Sequence, residues 1–188
     1  MRDATCVVLA AGLATRMGGD KLLRPFGDAT ILDAVLGACA AWPTVVVTSA
    51  AIAELLVPDS NDTVLVNQAP QRGMAHSLRM ANRAIEPDRP IAVLLADKPL
   101  VTADLIGHVL DALDPDVDVV FPVRGGVAGH PVVFSVRART FVNTIPDGDT
   151  LQKLRDDPRL VRRPLEIEDE GAYVDIDTEE DYQALASA

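Results

Sequence analysis

The six residues Ile91-Ala92-Val93-Leu94-Leu95-Ala96 contain no polar side chain, so a strand built from them has no face to offer to water. Such a strand belongs at the centre of a sheet covered on both sides. The stretch Thr5-Cys6-Val7-Val8-Leu9-Ala10 reads in a similar way, and further strands are expected at 45–48, 63–66, 117–121 and 131–135. Segments of helical period lie between them. Ile31, Leu32, Val35, Leu36 and Cys39 mark one apolar helical face, and Leu105, Ile106, Val109, Leu110 and Leu113 mark another. Thr102, Asp149 or Thr150, and Thr178 have the residue type and place of helix N-caps. Strands alternating with helices predict an α/β fold, a three-layer α/β/α Rossmann-like sandwich on a mostly parallel mixed sheet. The stretch 125–171 is richer in Gly, Pro and charge, and is expected to form a hairpin and short helices that complete a single domain over 1–188.

Open α/β sheets bind ligands beyond the carboxyl ends of their strands, where the strand order reverses. The apolar run 91–96 ends in Asp97-Lys98-Pro99, which delivers a carboxylate to that edge. After the first strand comes Ala11-Gly12-Leu13-Ala14-Thr15-Arg16-Met17-Gly18-Gly19-Asp20-Lys21, three glycines beside two fixed cations. Glycines let a backbone turn sharply and aim several N–H groups at one anion, while an arginine fork and a lysine point charge neutralise what the amides do not. The spacing matches neither G-x-G-x-x-G nor the G-K-[ST] ending of a P-loop, so a different nucleotide loop is implied. Arg16 and Lys21 are expected on the outer phosphates, with backbone near Leu9, Ala10, Ala11 and Gly12 reading base or ribose. Arg24 is a weaker member of the same cationic group. Gly73-Met74-Ala75-His76-Ser77 opens a helix, so amides from Gly73 onward and the Ser77 hydroxyl are further nucleotide-binding candidates.

Leu9-Ala10-Ala11-Gly12 with Arg16-Met17-Gly18 and Lys21 resembles the signature of nucleotidyltransferases related to molybdenum cofactor cytidylyltransferase and the molybdopterin guanylyltransferases. The MobA-like NTP transferases are this group. Further pieces follow in the same order: Gly73-Met74-Ala75-His76-Ser77-Leu78, Leu95-Ala96-Asp97-Lys98-Pro99-Leu100, Gly129-His130-Pro131 and Asp175-Ile176-Asp177-Thr178-Glu179-Glu180-Asp181. The resemblance implies a nucleotide-diphospho-sugar transferase-like fold and a catalytic set of Arg16, Lys21 and Asp97. It implies Mg²⁺ held by Asp97 and by an acidic residue of the pair Asp175 and Asp177, and His130 bordering the acceptor. The expected reaction joins a nucleoside monophosphate, CMP from CTP by preference, to a phosphorylated small molecule, molybdopterin by preference, with release of pyrophosphate. A sugar phosphate or another cofactor precursor is the rival acceptor. A non-catalytic carrier that delivers molybdenum cofactor to a molybdoenzyme is the rival from another class. Two positions depart from the pattern: Lys98 stands where related sequences more often have Gln or Met, and Gly148-Asp149-Thr150-Leu151 stands where cofactor cytidylyltransferases tend to continue with Gly-Ala-Arg.

The net charge of −11 over 188 residues argues against nucleic acid and anionic membrane surfaces as partners, because both are bound through clustered Lys and Arg. The same charge makes a local cationic site and a divalent metal necessary for any triphosphate substrate. No apolar run reaches membrane length and no signal-peptide pattern opens the chain, so a cytoplasmic protein is expected. Cys6 and Cys39 fit no metal spacing and read as buried small hydrophobes.

Overall fold

The computed structural model describes residues 3–12, 21–58 and 60–186. Strand β1 (Thr5–Ala10) is followed by a small ribbon of β2 (Pro25–Phe26) and β3 (Ala29–Thr30), then α1 (Ile31–Cys39), β4 (Thr44–Thr48), α2 (Ala50–Ala53) and β5 (Asp62–Val66). Helix α3 (Met74–Ala84) leads to β6 (Ile91–Leu95), and α4 (Ala103–Asp111) leads to β7 (Val119–Arg124). The remainder comprises β8 (Val127–Ala128), β9 (Val132–Phe134), α5 (Val136–Arg139), α6 (Leu151–Arg155), β10 (Arg162–Glu166) and α7 (Glu179–Ala186).

The sheet runs in the order β10-β7-β9-β6-β1-β4-β5, with β8 paired to β7 beside this path. β1 lies between β4 and β6 and is parallel to both, with Cys6 opposite Thr44 and Thr5 opposite Ile91. The chain winds outward from β1 through β4 to β5, then returns through α3 to β6 on the other side. The carboxyl ends of β1 and β6 therefore form the point where the winding reverses, which is where this class of sheet leaves a crevice. β9 enters antiparallel to both β6 and β7, and β10 closes the edge parallel to β7.

Successive strand side chains point to opposite faces, and the two cores divide accordingly. Cys6, Val8 and Ala10 of β1 join Leu94 of β6 in a core covered by Ile31, Leu32 and Val35 of α1, Leu105, Ile106 and Val109 of α4, and Tyr182 of α7. Val7 and Leu9, with Ile91 and Val93, join the opposite core under Leu78 and Ala81 of α3, Ala138 of α5 and Leu151 and Leu154 of α6. Both faces are covered, which confirms the three-layer α/β/α sandwich and the mostly parallel mixed sheet. Burying one aliphatic side chain contributes roughly 1.5–3 kcal/mol, whereas an exposed ion pair contributes about 0–1 kcal/mol. These cores, not the surface charges, hold the layers together. Among the described residues no helix is long and apolar enough to cross a membrane.

Two regions differ from expectation. β7 starts and ends later than 117–121, because Val117 is held in a turn to Asp114 and Asp118 faces inward as a connector. The Asp118 carboxylate accepts the Val161 N–H at 2.9 Å and the Ser135 hydroxyl at 3.1 Å, tying the start of β10 to the end of β9. β10 itself falls in the stretch read as hairpin and short helices. Its residues Arg162-Arg163-Pro164-Leu165-Glu166 are exposed in alternation, the pattern of an edge strand that tolerates proline.

Candidate active site

Asp97 follows the last residues of β6, and its backbone carbonyl accepts the Ile176 N–H at 2.9 Å. That bond brings the late acidic segment against the crevice at the switch point. Helix α7 supports it: Thr178 and Asp181 cap its first turn reciprocally, Thr178 Oγ1 accepting the Asp181 N–H at 3.2 Å and the Asp181 carboxylate accepting the Thr178 N–H at 2.8 Å. Because Asp181 does the capping, the carboxylate of Asp177 is left to face the site.

Lys21 enters from a 3₁₀ turn over Lys21–Leu23 whose Leu22 is sunk in the core. Its ammonium donates to Asp97 Oδ2 at 2.9 Å, to the Ile176 carbonyl at 2.7 Å and to Asp177 Oδ1 at 3.1 Å. All three donors of the group are thereby used. Burial opposes the charge on Lys21, yet the fields and hydrogen bonds of Asp97 and Asp177 lift its pKa above that of an ordinary lysine. The other oxygen of Asp97, Oδ1, is buried and has no hydrogen-bond partner among the described residues. An orphaned carboxylate oxygen beside a second, half-exposed carboxylate suits a hard divalent cation, which takes one or two carboxylates and completes its shell with water and phosphate. Among the described residues no three carboxylate, histidine or cysteine side chains form a closed metal cage.

Asp175 is placed differently. Its carboxylate lies 3.3 Å from the ammonium of Lys98, which also donates to the Tyr173 carbonyl at 2.7 Å. Lys98 is only 6% exposed, so it is a buried strut for the segment 173–177 rather than a solvated charge. The sequence flagged Lys98 as unusual but carried no sign of its partners, which lie about seventy-five residues away. Close packing fixes the same segment from the other side. A Cβ on Gly129 would stand 2.6 Å from the Ala172 carbonyl oxygen and 2.8 Å from the Tyr173 ring, so only glycine fits there. The His130 N–H donates to that Ala172 carbonyl at 2.8 Å. Burial pushes the His130 imidazole down to about 4, only partly countered by its hydrogen bond to the Val93 carbonyl, with Lys98 adding to the depression. The ring is neutral at physiological pH. Its Nδ1–H faces Val93 O at 3.3 Å, leaving Nε2 as an acceptor.

On the nucleotide side, Leu9 and Ala10 are buried β1 residues, and the Leu9 carbonyl accepts the Ala96 N–H at 3.2 Å. The Ala11 methyl packs into the core under α3, and Gly12 is exposed, a Cβ there meeting nothing within 4 Å among the described residues. The expectation for Arg16 lies outside the described residues. Gly73 has φ +80°, in the left-handed region, and a Cβ there would meet Gly148 Cα at 3.1 Å. The loop through Gly148 thus stands on the start of α3, where the Asp149 carbonyl accepts the Ala75 N–H at 3.4 Å. Ser77 is buried, and its hydroxyl accepts from Asn67 at 2.9 Å while Asn67 Oδ1 accepts the Ala69 N–H at 2.8 Å. Ser77 braces the approach to α3. Arg24 is engaged by α7: its guanidinium forms a bidentate pair with Glu179 and lies 3.6 Å above the Tyr182 ring, while the Tyr182 hydroxyl donates to the Pro25 carbonyl at 2.8 Å. Arg24 clasps α7 to the β2–β3 ribbon.

A family model described as MobA-like NTP transferase domain matches residues 6–164. Molybdenum cofactor cytidylyltransferase of Escherichia coli (strain K12) is 25% identical over 189 residues, spanning 97% of this chain and 95% of that protein. The crystal structure of Rv0371c from Mycobacterium tuberculosis H37Rv superposes with a TM-score of 0.84 at 26% identity, covering 99% of this chain and 98% of that one. The complex of Rv0371c with manganese superposes at 0.82, again at 26% identity, with 99% and 98% coverage.

Proposed function

The chain belongs to the MobA-like NTP transferase family and is a nucleotidyltransferase of that type, and we propose that it transfers CMP from CTP to phosphorylated molybdopterin with release of pyrophosphate. One observation carries the proposal: the cluster of Lys21, Asp97 and Asp177 at the reversal point between β1 and β6. Support for the cytidylyl branch comes from Leu9-Ala10-Ala11-Gly12 and from the end-to-end similarity to a cytidylyltransferase. Support for a divalent ion comes from the orphaned Asp97 oxygen and from the manganese complex of a related protein.

Asp97 Oδ1 and the Asp177 carboxylate would hold Mg²⁺. Bound there, the ion supplies positive charge against the triphosphate and the pyrophosphate leaving group. Lys21 turns to the β- and γ-phosphates, whose charge grows as the bond from the α-phosphorus to the bridging oxygen breaks. The Ala11 and Gly12 backbone borders the nucleotide, with Gly73 and the braced start of α3 closing the far side. An acceptor phosphate attacks the α-phosphorus through an oxygen that is already anionic at neutral pH, since its second pKa is about 6. The protein therefore has to position the two phosphates in line rather than remove a proton. Neutral His130, pinned by Val93, offers Nε2 to a donor on the acceptor. Lys98 and Asp175 hold segment 173–177 so that Asp177 faces the site. We place the reaction in the cytoplasm and in a single domain spanning the chain.

The test is incubation of the protein with each of four nucleoside triphosphates, Mg²⁺ and a panel of phosphorylated acceptors, followed by pyrophosphate assay and mass analysis of the product. A cytidylylated molybdopterin with stoichiometric pyrophosphate is expected. Pyrophosphate formed only with a sugar phosphate would replace the acceptor. Bound molybdenum cofactor with no pyrophosphate under any condition would replace the enzyme by a carrier.

A further inference from the structure

Lys21 does more in this structure than wait beside the phosphate loop. Its ammonium lies between the two carboxylates assigned to the divalent ion, 2.9 Å from Asp97 and 3.1 Å from Asp177. It is held there by a third bond, to the Ile176 carbonyl at 2.7 Å. The side chain is 14% exposed, so little water is available to take over these contacts. We propose that Lys21 fills the cation position of the free protein, so that a divalent ion enters only when nucleotide phosphates arrive to receive the ammonium.

The charge balance supports such an exchange. Asp97 and Asp177 contribute two negative charges and Lys21 one positive charge, while Asp175 is matched by Lys98 and stays outside the count. A divalent ion added without moving Lys21 would leave net positive charge and two cations in contact, a repulsive arrangement at low dielectric. Moving Lys21 onto a triphosphate removes that repulsion and leaves the carboxylates neutralised by the ion. Without nucleotide, the ion must displace an ammonium making two charge-assisted hydrogen bonds to carboxylates. Each such bond is worth on the order of tenfold or more in an equilibrium constant. Metal and nucleotide are thus coupled through one side chain, and the coupling acts in both directions. The inference rests on the nucleotidyltransferase reading for the identity of the phosphate ligand, but its metal arm needs no substrate.

Binding of Mn²⁺ to the nucleotide-free protein, read by the electron paramagnetic resonance of free manganese, tests it directly. Lys21→Met should bind Mn²⁺ at least about tenfold more tightly than wild type and gain more thermal stability from Mn²⁺. Adding Asp97→Asn to Lys21→Met should abolish the gain. A folded Lys21→Met protein that binds Mn²⁺ no more tightly than wild type overturns the proposal, as does a gain that survives Asp97→Asn. A wild-type crystal structure with Mn²⁺ and the non-hydrolysable α,β-methylene analogue of CTP gives a second decision that needs no variant. Lys21 Nζ should lie on phosphate oxygens, beyond hydrogen-bond reach of both carboxylates; Nζ still bridging Asp97 and Asp177 overturns the exchange. Failure of CTP to bind under any condition would count against the proposed reaction, while the nucleotide-free manganese comparison would still decide the role of Lys21.

Discussion

Asp97→Asn separates the catalytic weight of this carboxylate from its structural weight. The substitution keeps the shape of the side chain and removes its charge. With the amide oxygen toward Lys21, the 2.9 Å contact survives as a weaker hydrogen bond, and the amide nitrogen occupies the buried place where Oδ1 has no partner among the described residues. A buried unsatisfied donor costs about 1–3 kcal/mol, partly offset because Asp177 no longer shares Lys21 with a second carboxylate. A net loss of about 1–3 kcal/mol is a fraction of the roughly 5–15 kcal/mol that stabilises a typical domain. For a chain of this size it lowers the melting temperature by roughly 2–10 °C. Turnover should fall far more. The cation that this carboxylate would hold acts where negative charge develops, and one oxyanion-stabilising donor alone is worth about 10²–10³ in rate, so a loss on the order of a thousandfold or more is expected. Pyrophosphate release at low and saturating Mg²⁺, with circular dichroism melts on the same samples, measures both effects. A folded variant within about threefold of wild-type activity at low Mg²⁺, a difference under 1 kcal/mol in barrier, would refute the assignment.

Lys21→Ala should slow turnover at saturating Mg·CTP by roughly tenfold to a hundredfold, the worth of one charge-assisted contact to the departing phosphates. Pyrophosphate release is the measurement, since in binding the phosphate contact replaces those to Asp97 and Asp177, and unchanged turnover would count against a phosphate role. With equal CTP and GTP in competition, cytidylylated product should predominate by no more than about ten- to two-hundredfold if residue 11 alone discriminates. Since the Ala11 methyl packs under α3, its influence reaches the base through backbone placement, and a guanylylated majority product would overturn the base assignment. His130 titrates at about 4 when folded against an ordinary 6.5, so the unfolded chain binds more protons between these values and stability falls as pH drops through that window. Denaturant melts at pH 7 and pH 4 should show wild type losing roughly 3 kcal/mol more than His130→Asn, and equal losses would show that His130 is not buried as a neutral ring.

The apolar runs made β1 and β6 legible, because a strand with two dry faces has one place to go in an α/β sheet. Thr178, a residue of N-cap type, likewise announced the start of α7. Strand direction was not legible: nothing in the composition of Val132-Val133-Phe134 reveals that β9 runs antiparallel between two parallel neighbours. β10 escaped because Arg162, Pro164 and Glu166 at a sheet edge lack the apolar pattern of a core strand. Asp97 and Lys21 were recognisable as types at meaningful places, yet Lys21 reaches Asp97 across 76 positions and Asp177 across 156, and the meeting depends on the Ile176–Asp97 backbone bond. Arg24 shows the converse. Its spacing grouped it with the phosphate cations, while Glu179 and Tyr182, distant in sequence, claim it for structure.

The most direct measurement follows the α-phosphate itself. CTP radiolabelled at that position is incubated with the wild-type protein, Mg²⁺ and molybdopterin, and the label is traced alongside released pyrophosphate. The label should appear in a covalent cytidylyl product in equal amount to pyrophosphate, and Asp97→Asn should abolish both together. Label that remains in CTP, or emerges only as free CMP or CDP without a labelled acceptor, would contradict nucleotidyl transfer at the Lys21, Asp97 and Asp177 cluster.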